Sequence, residues 1–125
     1  MRERLKDKNR LEHIKKAIDT ILDRVEGMDY DTFKSDKILY GGIVYYTMII
    51  GEAAYKLSPQ FVSAYTEIAW QDIADMRHHL VHGYYQVDSS IVWAVVQHDL
   101  KPLRTQIDNL LSIVDWEEWE SRNSV

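Results

Sequence analysis

At 125 residues with 46% apolar and 28% charged residues, the chain has the size and composition of one globular domain, residues 1–125, with enough apolar surface to bury a core. It has no cysteine, which excludes disulfides, a thiolate nucleophile and cysteine-ligated zinc. A net charge of −5 excludes holding nucleic acid by bulk phosphate attraction alone, although residues 1–16 concentrate seven Lys/Arg against three Asp/Glu.

The opening MRERLKDKNR is charged and lacks the apolar run of a signal peptide, and no stretch is long and apolar enough for a membrane span. The expectation is a cytoplasmic protein.

The first helix is read from Leu11, Ile14, Ile18, Ile21, Leu22 and Val25, which recur at three- and four-residue steps, with Gly27 placed to cap its end. Asp29 to Asp36 reads as a polar connection with a short turn at Asp31–Phe33. A second helix, Asp36 to Leu57, is expected to pack with Ile38, Gly42, Tyr45, Ile49, Glu52, Ala53 and Lys56 on one side and Leu39, Ile43, Tyr46 and Ile50 beside them. That stripe is wide, so this helix is expected to be central.

Ser58-Pro59 ends the second helix, and Pro59 can open a further short turn. A third helix is placed from Glu67 to His82, with Trp70, Ile73, Met76/Arg77 and Leu80 inward and Gly83 interrupting it. Asp88-Ser89-Ser90 offers N-cap chemistry for a fourth, whose apolar side runs from Val92 to Val114. Pro102 lies inside that pattern and should kink or split it. Trp116 and Trp119 read as packing caps in an acidic tail. The fold class is all-α, an up-and-down bundle of four to five helices.

The chemistry concentrates in MRHHLVHGYY, residues 76–85, which holds three of the five histidines. His78 and His82 are four apart and share a helix face, as in histidine-pair zinc motifs, but His79 stands where those motifs carry a catalytic glutamate. No third ligand is evident unless folding brings up His98-Asp99, and neither metal nor cofactor is expected.

An acid/base reading uses Arg77 and His82. Five residues on an ideal helix turn about 500°, leaving roughly 140° between the two side chains, so one straight helix cannot aim both at one atom. Either the last turn unwinds near Gly83, or a two-fold partner brings its own pair to a shared site. Such a site suits metal-free RNA cleavage. The ribose 2′-hydroxyl is the nucleophile, histidine moves protons near neutrality, and a guanidinium receives charge building on phosphorus. The plainer readings stay open: Arg77 paired with Glu52, His82 as a C-terminal helix cation, His78 and His79 as a polar face, and Tyr84 and Tyr85 as amphipathic packing.

Arg77, His82 and Tyr84, at spacings of five and two, resemble the signature of the HEPN superfamily (higher eukaryotes and prokaryotes nucleotide-binding), and the chain more narrowly resembles HepT-like toxins. Ile50-Gly51-Glu52-Ala53, Trp70, Val87-Asp88, Trp93 and Asp99-Leu100-Lys101-Pro102-Leu103 extend the likeness over most of the chain. The resemblance implies a metal-independent endoribonuclease, the toxin of a toxin–antitoxin pair, with Arg77 and His82 catalytic in a cleft between two copies of a homodimer. His78 stands where the superfamily often has Asn or Asp, and with Glu52 it would support the site. Tyr84 matches the tyrosine that a cognate minimal nucleotidyltransferase (MntA-like) modifies with AMP, a bulky charged group that would block the cleft. The alternative is a non-catalytic HEPN binding subunit that docks a nucleotide or the nucleotidyltransferase.

Overall fold

The computed structural model describes residues 6–83 and 88–123. Its regular elements are all helical: α1 (Asp7–Val25), α2 (Tyr30–Ser35), α3 (Lys37–Tyr55), α4 (Pro59–Ala64), α5 (Trp70–Gly83), α6 (Ser89–Ala94), α7 (Leu100–Ile113) and α8 (Trp116–Asn123). A π-helical turn, Val95–Asp99, joins α6 to α7. The all-α bundle expected from the periodicity is what forms, with α3 packed between α1 and α5 and α7 packed against α1.

Local sequence explains the boundaries. Gly27 takes a φ of +75° after α1, a backbone region that costs glycine little. The side chains of Asp29, Asp36, Ser58 and Asp88 accept from the backbone N–H of Thr32, Leu39, Phe61 and Ser90 at 2.8, 3.0, 3.2 and 2.8 Å, capping α2, α3, α4 and α6. The connection after α1 is therefore helix rather than loop, because Asp29 caps it and Phe33 buries completely beneath it. Helix α5 begins at Trp70, three residues later than expected.

The stripe of α3 is also corrected. Leu39, Ile43, Val44, Thr47, Ile50, Gly51, Ala53 and Ala54 are buried, whereas Ile38 is 88% and Tyr45 58% exposed. With α1, α2 and α5 packed against α3, the edge bearing Ile38 and Tyr45 is left exposed among the described residues. The division expected around Pro102 takes the form of the π-helical turn Val95–Asp99, closed by Leu100 N donating to Val95 O, and Pro102 itself sits in the first turn of α7, where a missing N–H is tolerated. Trp116 and Trp119 are buried as expected, packed around the fully buried Phe61.

The start of α1 is tied to both α4 and α8 through one carboxylate. Asp7 accepts from Ser58 N at 2.8 Å, Ser58 Oγ at 2.6 Å and Trp119 Nε1 at 3.2 Å. Asp7→Ala removes these three part-buried hydrogen bonds and is expected to destabilise the protein by about 2 kcal/mol. A fall in the thermal midpoint checks this; an unchanged midpoint refutes the tie.

Candidate active site

The site begins with a close helix crossing. A Cβ on Gly51 of α3 would lie 2.4 Å from Arg77 Cβ, 3.0 Å from Ile73 O and 3.1 Å from Arg77 Cα. Only glycine lets α5 approach this near, and the approach sets the root of the Arg77 side chain against α3. The guanidinium then reaches two residues of α3. Its Nη1 lies 3.1 Å from Glu52 Oε2, and its Cζ lies 4.9 Å from the centroid of the Tyr55 ring. Lys56 Nζ takes the other Glu52 oxygen at 2.9 Å. Arg77 Nε is buried with no hydrogen-bond partner among the described residues.

Lys56, hydrogen-bonded to it, holds the Glu52 carboxyl below the usual glutamate range against a smaller opposing effect of burial, and Arg77 and Arg10 add to the lowering. A depressed carboxyl contributes stability above its unfolded pKa and loses it as pH falls through the lowered folded value. At neutral pH Glu52 is therefore an anion. Its side chain is 41% exposed, so it stands at the edge of the packed face rather than inside it, contrary to the expected stripe.

The histidines form a second group. His78 and His82 lie one turn apart with ring centroids 4.5 Å from each other, and both are exposed. His79 is also exposed, its ring 6.2 Å from that of His78. Helix α5 stays helical through Gly83, so the unwinding that would swing His82 round to Arg77 is not seen. The structure joins Arg77 with Glu52, and His82 with His78, but places the two groups on different sides of α5.

No cluster of three or more His, Cys, Asp or Glu suited to a metal occurs among the described residues. His98 and Asp99 line a separate cleft of about 440 Å³ with Asp72 and Met76. Tyr84, the expected AMP acceptor, lies outside the described residues.

Two contributors escaped the sequence reading. Gly51 stands within the Ile50–Ala53 motif, and the packing reason for it needs the α5 backbone beside it. Tyr55 carried no signal except its place three residues after Glu52.

These arrangements can be set beside known proteins. The family model described as "Ribonuclease HepT-like" matches residues 14–110. The chain belongs to this HepT-like family of the HEPN superfamily. The match takes in α3 with Gly51 and Glu52 and α5 with Arg77 and His82. "Putative RNase TTE0752" of Caldanaerobacter subterraneus subsp. tengcongensis is 32% identical over 81% of this chain and 90% of its own length. "Probable ribonuclease HepT" of Thermococcus cleftensis is 31% identical over 82% of this chain and 94% of its own. No solved structure matches the chain.

The close crossing yields a paired test. Gly51→Ala must push α5 from α3 and is expected to cost about 1–3 kcal/mol. Gly41→Ala, with no atom within 4 Å of the added Cβ, should be neutral or stabilising by up to about 1 kcal/mol. Thermal unfolding of both variants checks the contrast, and equal midpoints would refute the steric account.

Proposed function

We propose that this HepT-like protein is the toxin of a toxin–antitoxin pair and cuts RNA internally without a metal ion, with Arg77 and His82 as catalytic residues in a site shared by two copies of the chain. The observation that carries the reading is the unbroken α5, which presents a guanidinium and an imidazole on different sides of one helix in a chain of a ribonuclease family. One protomer offers half of the required chemistry at any one point, and a two-fold axis beside α5 supplies the complement.

In this mechanism the 2′-hydroxyl attacks the adjacent phosphorus, one histidine takes its proton and a second protonates the departing 5′-oxygen. The products are a 2′,3′-cyclic phosphate and a 5′-hydroxyl. Arg77 binds the equatorial phosphate oxygens where charge accumulates. His78, packed on His82, orients it, and Glu52 fixes Arg77 through Nη1.

Support for the second copy comes from α3. Its uncovered edge carries Ile38 and Tyr45, separated by the exposed Gly41 and Gly42, and continues along the same helix face to Glu52. The antitoxin is an MntA-like nucleotidyltransferase acting on Tyr84, which follows α5 by one residue.

A non-catalytic binding subunit is the second reading. The net charge of −5 favours it, since RNA must approach an acidic surface.

Purified protein is expected to cut RNA in EDTA, to sediment as a dimer at micromolar concentration, and to lose roughly 10²- to 10⁴-fold of its activity in folded Arg77→Ala and His82→Ala variants. Variants as active as the parent would remove both residues from the mechanism. Nucleotide binding by calorimetry without RNA turnover would favour the second reading.

A further inference from the structure

Tyr55 occupies a position that the catalytic reading leaves unexplained. It ends α3, one turn beyond Glu52, and is 64% exposed although it is a large aromatic residue. One face of its ring is covered by the Arg77 guanidinium at 4.9 Å. Among the described residues no other aromatic ring lies against it, in contrast to Phe61, Tyr65, Trp70, Trp116 and Trp119, which pack on one another in the core.

An exposed ring fixed beside a phosphate-binding cation has the composition of a single-strand nucleic-acid subsite, where a base stacks on the aromatic face and the backbone tracks the positive charge. The guanidinium pins the ring on one side, so the opposite face is presented with little further loss of side-chain freedom. Glu52 anchors the guanidinium and Lys56 anchors Glu52, so the ring, the cation and the α3 terminus form one braced unit.

We propose that Tyr55 is a stacking platform for an unpaired base next to the phosphate held by Arg77, which restricts the substrate to single-stranded RNA. The proposal rests on the reading of Arg77 as the phosphate-binding residue. It adds a binding residue and a substrate conformation that the arginine and histidine alone do not specify, because neither distinguishes a flipped or single-stranded nucleotide from one in a duplex. Nucleobase identity is read weakly here, since every base offers a π-face.

The test uses short 2′-O-methyl oligoadenylate, which lacks the 2′-hydroxyl nucleophile and so is bound but not cut, and an abasic oligomer of equal length. Tyr55→Ala is expected to weaken oligoadenylate binding by roughly 5- to 150-fold, the range of one lost base–aromatic stack. Tyr55→Phe, which keeps the ring, retains parental affinity. Affinity for the abasic oligomer is the same in all three proteins.

Equal losses on both oligomers would overturn the proposal, as would unchanged oligoadenylate binding in Tyr55→Ala. Loss of the dimer in Tyr55→Ala, with base dependence absent in the parent, would assign the ring to the protein interface instead and also overturn it. The reaction is tested separately on unmodified RNA with the parent and Arg77→Ala. Parental cleavage without a base-dependent Tyr55 effect defeats only the platform. A base-dependent Tyr55 effect in a protein that cuts nothing supports the platform and defeats only the nuclease reading.

Discussion

The arrangement of the candidate site depends on how near α5 comes to α3 at Gly51. With Arg77 Cβ where a side chain at residue 51 would stand, the arginine leaves its helix already against its neighbour. A longer separation would leave the guanidinium free in solvent, where an ion pair with Glu52 is worth little and side-chain entropy favours many rotamers. The close approach exchanges that freedom for one geometry, in which Glu52 and Tyr55 both reach the same cation. In the proposed mechanism, preorganisation of this kind stabilises the transition state, because the donor need not be collected when charge develops on phosphorus.

The same rigidity separates the two chemical groups. A helix that persists through Gly83 holds His82 one turn above His78, on a face turned away from the Arg77 ion pair. Convergence within one protomer would require the helix to melt at a point where its hydrogen bonds are intact. Convergence between protomers requires only that the uncovered edge of α3 find its own copy, and an edge with Ile38 at 88% exposure has apolar area to remove from water. In the proposed reading, this geometry ties catalysis to assembly.

Elsewhere the fold is held by polar ties between elements distant in sequence. Asp7 bonds to the cap of α4 and to Trp119, and Arg104 links Asp19 of α1 to its own helix neighbour Asp108, which Lys15 approaches at 2.7 Å. Hydrogen bonding to Lys15 keeps the Asp108 carboxyl below its usual range. These ties lie on the α1–α7 side and the α4–α8 end, away from the α3–α5 face.

The helices, their caps and the class of fold were legible in the sequence because each depends on interactions within a few residues: the periodicity of Leu11 to Val25, the carboxylate of Asp88 two residues before the Ser90 N–H, the proline at the start of α4. Arg77 and His82 were likewise legible as residue types at a recognisable spacing, and the pairing of Arg77 with Glu52 was one of the readings open at that level. The tertiary structure decided which edge of α3 meets water, that Glu52 stands at the margin of the packed face, and that Tyr55 shares the guanidinium. Periodicity fixes how residues are arranged around a helix axis, but the rotation of that helix against its neighbours is set by contacts between distant segments. At α3 the deciding contact is the absence of a single Cβ at Gly51, whose consequence exists only once α5 is beside it.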